Sequence, residues 1–172
     1  MTASTDLLLD AYGRVRDLVD DVVDGLSPEE LATRLDEGAN SIAWLVWHLA
    51  RVEDDHVADV AGTEQVWTAA GWHEAFGLPF GPGVTGYGHG PEEVAAVRGL
   101  DADALRGYHD AVHERSAAYL SGLADADFAR VVDTSWTPHV TLGVRLVSVV
   151  NDATQHVGQA AFVRGVLLRR RD

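Results

Sequence analysis

The sequence predicts an all-α protein whose main element is an antiparallel four-helix bundle with short extra helices and a Gly/Pro-rich loop. Four long segments place apolar residues at three- and four-residue steps, which is the spacing of amphipathic helices. Alternation typical of strands is nearly absent, because its best example is the two-residue stretch Val131–Val132. Since 47% of the 172 residues are hydrophobic, we expect residues 1–172 to form a single domain with its own core.

The first long helix is predicted over residues 4–25, where leucine, valine and tyrosine recur at helical spacing with aspartates between them. A capping-box pattern follows this helix. Ser27 and Glu30 stand three residues apart, and Pro28 occupies the first helical position. The pattern predicts a short helix that ends near Gly38.

The second long helix is predicted from Ile42 to Val60, with Asn40 and Ser41 as candidate caps and Gly62 at its end. Its first eight residues, 42–49, are apolar except for His48. Because an imidazole on an inward face needs hydrogen-bond partners, His48 is a candidate functional residue.

Residues 71–90 are predicted to form an irregular loop, because seven glycines and prolines lie between Gly71 and Gly90. Aromatic residues accompany them, which is unusual in a flexible linker. We therefore expect the loop to pack back onto the bundle. It then serves either as a lid or pocket wall, or as a connection that covers the core.

The second half of the chain is predicted to hold two more long helices. A short helix over residues 91–98 comes first, and the third long helix runs from about Asp101 to Leu123. The fourth begins at Thr141, and the arginines at 169–171 suit its C-terminal dipole. Its predicted inward positions alternate in three- and four-residue steps: Leu142, Leu146, Val149, Ala153, His156, Ala160, Val163 and Leu167.

Composition excludes several classes of function. The sequence has no cysteine, so it has no disulfide, no thiolate metal ligand and no cysteine nucleophile. Thirteen basic and 27 acidic residues give a net charge of −14, which repels phosphate backbones and argues against nucleic-acid binding. We expect no membrane association and a cytoplasmic location, because no apolar run reaches about 20 residues and the N-terminus lacks a basic flank.

Asp152 and His156 are four residues apart on the fourth helix, so both side chains project from one face. With His48 from a facing helix, they make a set of two histidines and one carboxylate, a common arrangement for a divalent metal. The same residues also fit a simpler interpretation. In that case Asp152 and His156 form a hydrogen bond in the core, and His48 finds its partners there.

Two segments carry a resemblance to a known family. Residues 40–49 (NSIAWLVWHL) and residues 141–165 (TLGVRLVSVVNDATQHVGQAAFVRG) resemble the metal motifs of the DinB-like superfamily, the mycothiol-dependent, maleylpyruvate isomerase-like four-helix bundles. The resemblance implies that His48, Asp152 and His156 bind a divalent metal ion. Zinc is the ion we expect, with nickel and iron as alternatives. Two positions depart from the family pattern, since Asp152 replaces a frequent glutamate and Gln159 replaces a frequent histidine.

The function that the resemblance implies is that of a metal-dependent thiol transferase or isomerase-type enzyme. Its partners would be a low-molecular-weight thiol, such as mycothiol or bacillithiol, and an electrophilic substrate. A metal ion can deprotonate a bound thiol near neutral pH, so the nucleophile would come from the cosubstrate. We expect Trp44, Trp47 and the aromatic loop to wall the pocket, and Asp55 is a candidate general base.

Two other functions fit the same residues. One is an iron enzyme that uses the two-histidine, one-carboxylate set for oxygen chemistry. The other is a binding or dimerisation module that metal stabilises without catalysis. We also expect a homodimer, because Trp67, Trp72 and Phe76 cluster outside the long helices and DinB-like proteins often pair.

Overall fold

In the computed structural model, which describes residues 2–171, helices dominate as predicted. A turn of 3-10 helix, Asp125–Ala129, precedes a two-stranded antiparallel sheet, β1 Val131–Asp133 and β2 Val140–Thr141. No helix of residues 2–171 is long and apolar enough to cross a membrane. The helices are α1 Ala3–Val23, α2 Pro28–Leu31, α3 Ile42–Ala61, α4 Val66–Ala69, α5 Trp72–Phe76, α6 Pro91–Ala96, α7 Ala102–Ser121 and α8 Leu142–Arg169.

The four long helices begin at side-chain caps, and the sequence predicts the one at Ser41. In each, the oxygen of the N-cap residue accepts a hydrogen bond from a backbone N–H of the first turn, which stabilises a helix by about 1 kcal/mol. The predicted capping box at Ser27 and Glu30 is also present and starts α2. The caps of the long helices are Thr2, Ser41, Asp101 and Thr141.

Ion pairs show how α1 packs against α7. Arg16 lies 2.6 Å from Asp110, and Arg106 lies 3.0 Å from Asp20. Later residues of α1 thus meet earlier residues of α7, so these helices run antiparallel. Helix α8 lies on the other side of α1 and runs parallel to it. The hydroxyl of Tyr12 donates to the carbonyl of Leu146 near the start of α8, and Arg164 near the end of α8 donates to the carbonyl of Asp24 just after α1.

Helices α3 and α7 also run parallel. The hydroxyl of Tyr108 donates to Asp54, and further along both helices the hydroxyl of Tyr119 donates to the carbonyl of Val60. A parallel neighbour requires the chain to return along the bundle, and residues 62–101 supply that connection. This long segment includes the Gly/Pro-rich loop.

The core lies between the long helices and follows the predicted periodicity with one change. On α8, Val157 occupies the buried position that the pattern assigned to His156, and His156 is only partly buried. The difference is confined to this position, because the buried residues on either side of it, Ala153 and Ala160, are those that the pattern predicted. The buried side chains of α8 are Leu142, Leu146, Val149, Ala153, Val157, Ala160, Val163 and Leu167.

The loop over residues 71–90 packs against the bundle, as predicted, but it is not wholly irregular. It contains the five-residue helix α5, which starts after Gly71 and ends at Gly77, both in the left-handed conformation. Phe76 is buried in the core and Phe80 packs against it. Short helical turns of this kind form between glycines when their aromatic side chains have a core to cover, which local sequence does not reveal.

Arg51, a fully buried residue of α3, holds this loop in place. Its guanidinium donates to the carbonyl oxygens of Pro82 and Val84, both at 3.2 Å, and to Gln65 Oε1 at 2.8 Å. Its charge is paired with Asp54, whose Oδ2 lies 3.4 Å from Nη1. A buried charge with this many partners fixes the segment that follows Val84 relative to α3.

Candidate metal centre

His48, Asp152 and His156 converge between α3 and α8. Each offers one ligand atom, and the three atoms lie within 4.8 Å of one another. The rings of His48 and His156 have centroids 4.7 Å apart and stand nearly perpendicular. Nε2 of His156 lies 3.5 Å from Oδ1 of Asp152. The sequence-predicted set is therefore brought together, with the i, i+4 pair on one helix and His48 on the facing one.

The orientation of His48 is set by the loop. Its Nδ1 lies 2.6 Å from the carbonyl oxygen of Thr85. Because a carbonyl only accepts, Nδ1 carries the proton and Nε2 keeps its lone pair, as in metal-bound histidines whose other nitrogen donates to a backbone carbonyl. The ring also stacks on Trp44, with centroids 4.6 Å apart. These two contacts hold His48 in one pose.

Gly86 lets the loop approach this closely. Its φ of +95° is one that residues with side chains rarely adopt, and an added Cβ would lie 2.8 Å from Nδ1 of His48. The same Cβ would lie 3.0 Å from Trp47. The backbone of the loop is therefore in direct contact with the face of α3 that carries His48.

Two atoms of the cluster are buried without a hydrogen-bond partner among the described residues, Oδ2 of Asp152 and Nδ1 of His156. A buried polar group without a partner costs about 1–3 kcal/mol, so such atoms usually have a ligand, water or ion to satisfy them. The distance of 3.5 Å from Nε2 of His156 to Oδ1 of Asp152 is close to the separation of two ligand atoms around a tetrahedral zinc ion. That separation is about 3.3 Å for bonds of ~2.0–2.1 Å. The donor set and its spacing fit a divalent metal ion.

The protonation states suit metal binding as well. Burial lowers the pKa of the His48 imidazole, against the opposing effect of its hydrogen bond to Thr85. Burial raises the pKa of Asp152, but the hydrogen bond with His156 and the nearby imidazoles outweigh it and bring that pKa below its usual value. Near pH 7, His48 is neutral and Asp152 ionised, which are the forms that bind metals.

A cleft of about 420 Å³ opens beside the cluster, within the usual size range of small-molecule sites. It extends along α3 and α8 from His48 and Asp152 to His56 and Arg145. Since His56 follows His48 on α3, whereas Arg145 precedes Asp152 on α8, these two helices run antiparallel. The residues that line the cleft are His48, Val52, Asp55, His56, Thr85, Tyr87, Trp136, Arg145, Ser148, Val149 and Asp152.

The expected pocket walls are partly wrong. Trp44 and Trp47 are buried behind His48 and do not line the cleft, whose aromatic residues are Tyr87 and Trp136. The candidate base Asp55 does line it, and its Oδ1 accepts a hydrogen bond of 2.7 Å from Gln65. Residues 42–49 are an almost continuous apolar run, so this part of α3 is buried on all sides and its tryptophans pack into the core instead of lining a pocket.

The cleft also contains His56 and Arg145, which the sequence reasoning did not single out. Nη1 of Arg145 lies 3.3 Å from Nδ1 of His56. Spacing holds a signal for both, since His56 follows His48 by eight residues and Arg145 precedes Asp152 by seven. Each spacing is about two helical turns, which places the pair on the same faces of α3 and α8 as the cluster.

Trp67 and Phe76 are buried inside the chain, and Trp72 packs against the same core. These side chains therefore do not offer a surface to a second copy. The homodimer stays a prediction without their support.

The helical fold and a family-model match over most of the sequence place this chain in the class of DinB-like proteins. Within that class, the family model of Mycothiol-S-transferase matches residues 7–168, and the chain is a member of this family of mycothiol-related transferases. The family implies a thiol partner.

A solved structure gives further support for the fold. The chain is similar to a protein from Enterococcus faecalis described as the conserved protein of locus, with 30% sequence identity and a TM-score of 0.89. The similarity covers 95% of this chain and 96% of the other. No curated protein matches the sequence.

Proposed function

We propose that the protein is a divalent-metal-dependent S-transferase that joins a low-molecular-weight thiol, such as mycothiol, to an electrophile. In this proposal His48, Asp152 and His156 hold the metal ion, with zinc as the expected ion. The family match supports the thiol, and the donor set supports the metal.

The observation that carries the proposal is the convergence of one ligand atom each from His48, Asp152 and His156 at the end of an open cleft. Two buried atoms of this cluster lack a hydrogen-bond partner among the described residues, and His48 is held in a fixed orientation. A hydrogen bond confined to Asp152 and His156 would leave Asp152 Oδ2 and His156 Nδ1 unsatisfied. A cation held by the Asp152 carboxylate would give Oδ2 a partner, and the cleft gives substrates access to the cluster.

The chain's own residues have distinct roles in this proposal. When bound, the ion would lower the pKa of a thiol and supply a thiolate near pH 7. Thr85 fixes the tautomer of His48, and Trp44 excludes water from one face of its ring. The electrophile enters between Tyr87 and Trp136. Beside the cluster, the thiolate sulfur forms the bond to its carbon while the leaving group departs into the open cleft.

Metal analysis of protein purified without an affinity tag, followed by calorimetric titration of zinc into the apoprotein, tests the site. We expect one ion per chain, lost in His48→Ala, Asp152→Ala and His156→Ala. His139→Ala is the matched control, because His139 is exposed and lies outside the cluster, and it should bind zinc like the unchanged protein. Stoichiometric binding that survives all three cluster substitutions would refute the site.

Cobalt-substituted protein then tests the thiol. Mycothiol should produce a thiolate-to-cobalt charge-transfer band, and this band should be absent in the three cluster variants. If metal binds and raises the melting temperature but no thiol perturbs the cobalt spectrum, the protein is a metal-stabilised module without this chemistry. If iron-loaded protein consumes oxygen instead, the iron-enzyme interpretation replaces the transferase.

A further inference from the structure

We propose that His56 and Arg145 form a recognition site for an oxygen atom of the electrophile. The electrophile is a neutral, flat, apolar molecule whose hydrogen-bond-accepting oxygen is remote from its reactive carbon. This proposal deepens the transferase function proposed above and rests on it. The two residues lie at the end of the cleft away from the metal-ligand cluster.

The hydrogen bonding of the pair leaves donors available. Arginine has no acceptor, so Arg145 donates to Nδ1 of His56, and the ring proton of His56 is on Nε2. Nη2 of Arg145 donates to Asp133 at 3.0 Å, while its Nε is buried without a partner among the described residues. The pair therefore offers N–H groups and no free acceptor.

The charged groups around His56 and Arg145 determine whether the bound oxygen of the electrophile is neutral or anionic. Asp133 balances the charge of Arg145, and Asp55 adds a carboxylate to the same end of the cleft. Burial and the charge of Arg145 lower the pKa of His56, so its ring is neutral near pH 7. A carboxylate or phosphate would meet no net positive charge here, whereas a carbonyl oxygen accepts hydrogen bonds without one.

The middle and the mouth of the cleft determine the body of the ligand. Val52 and Val149 line it between the two polar ends. At the mouth, Tyr87 and Trp136 are 94% and 67% exposed, so their aromatic rings are available for contact with a ligand. Such walls suit an aromatic ring or a similarly flat apolar group.

The spacing of residues along the two helices gives the length of the ligand that can reach both ends of the cleft. His48 and His56 are eight residues apart on α3, and Arg145 and Asp152 are seven apart on α8. At ~1.5 Å per residue the two ends of the cleft are separated by roughly 10–12 Å along the helices. A para-substituted benzyl compound with a carbonyl opposite its reactive carbon has a suitable shape and length.

Equilibrium binding tests the site without thiol or turnover. The probes are 4-methylacetophenone and 4-ethyltoluene, which differ chiefly by one carbonyl oxygen and carry no leaving group. In ligand-observed NMR titrations, we expect the ketone to bind at least about tenfold more tightly than the hydrocarbon, as for a hydrogen bond to a charged donor. Equal affinity of the two probes for the unchanged protein would overturn the proposal.

Variants assign that preference to the pair. In Arg145→Met and in His56→Phe the ketone should lose most of its advantage, while binding of 4-ethyltoluene stays within about twofold. His56→Phe leaves the Arg145–Asp133 pair in place, so it keeps the test valid if Arg145→Met fails to fold. Arg115→Met is the control, because Arg115 is exposed and lies outside the cleft. A ketone preference that survives both cleft variants would refute the assignment.

Turnover links the site to the reaction. With mycothiol, 4-acetylbenzyl chloride and 4-ethylbenzyl chloride should each form a thioether, as the thiolate sulfur bonds to the benzylic carbon, chloride leaves with its electron pair and the thiol proton passes to solvent. The ratio of kcat/KM between the two substrates should fall by about tenfold in either variant, and intrinsic reactivity cancels because ratios are compared. If the ketone preference holds but zinc does not bind, the transferase proposal alone fails. If zinc binds and thiol is transferred without any ketone preference, only the present inference fails.

Discussion

Replacing Gly86 by alanine should disturb the candidate metal centre through a single added carbon atom. The new Cβ would stand 2.8 Å from Nδ1 of His48, whereas ordinary contacts begin near 3.4 Å, so about 0.6 Å of movement is needed. His48 is stacked on Trp44 and fixed on α3, so the loop must move instead. The same movement lengthens the 2.6 Å hydrogen bond between His48 and Thr85.

Three costs follow for Gly86→Ala. The left-handed backbone costs about 1–2 kcal/mol for a residue with a side chain. Crowding against the aromatic residues adds about 1–3 kcal/mol, and the weakened hydrogen bond about 0.5–1.5 kcal/mol. We expect the free energy of unfolding to fall by roughly 2.5–6.5 kcal/mol in urea denaturation. Zinc affinity should fall by about 10- to 100-fold in calorimetric titration, as for other losses of a histidine's orienting partner.

Gly88→Ala separates these costs. Gly88 also has a positive φ, +76°, but an added Cβ would meet nothing within 4 Å. It should lose only the backbone part, about 1–2 kcal/mol, and bind zinc normally. If the two variants lose the same stability and both keep their zinc affinity, the loop does not orient His48 and this reasoning is wrong.

Two further predictions concern buried charges. Arg51→Met should lower the free energy of unfolding by about 3–5 kcal/mol in urea, because Asp54 is left buried without its ionic partner. Arg14→Met, which removes an exposed i, i+4 pair, should cost less than about 1 kcal/mol. Burial raises the pKa of Glu53 to about 7 and lowers that of His109 to about 4. The folded protein therefore binds the Glu53 proton more tightly than the unfolded chain, so the stability that Glu53 contributes falls as pH rises from 4.5 to 7. The stability that His109 contributes changes in the opposite direction, rising as pH rises from 4 to 6.5, so the two contributions oppose each other over most of this range. In Glu53→Gln only the His109 contribution remains, so stability should rise more steeply between pH 4 and 6.5 than in the unchanged protein, in denaturation curves measured across that range. An unchanged pH profile would contradict this assignment.

The parts of the fold that were predictable depend on local chemistry. Ser41 and Gly62 define the ends of α3 because caps act within one turn, and the i, i+4 spacing places Asp152 and His156 on one face. His48 was identifiable because it interrupts an apolar run.

What could not be predicted depends on contacts between distant segments. The pairing of His56 with Arg145 joins residues 89 positions apart, and neither residue is unusual in its own helix. The same holds for Thr85, whose contribution to the site is a backbone oxygen and so leaves no trace in residue type. The parallel packing of α3 and α7 likewise depends on the course of a connection whose direction the helix pattern does not encode.

The candidate ligands and the cleft mouth belong to different kinds of segment. The ligands are on α3 and α8, whereas Thr85 and Tyr87 are on the long connection between α3 and α7 and Trp136 is in the turn between β1 and β2. Surface connections accept insertions and substitutions far more readily than helices that share a core. Under the proposed function, substitutions around Tyr87 and Trp136 can therefore change the compounds that the cleft admits, while the candidate ligands stay in place as long as the Thr85 carbonyl, a backbone atom, keeps its position against His48.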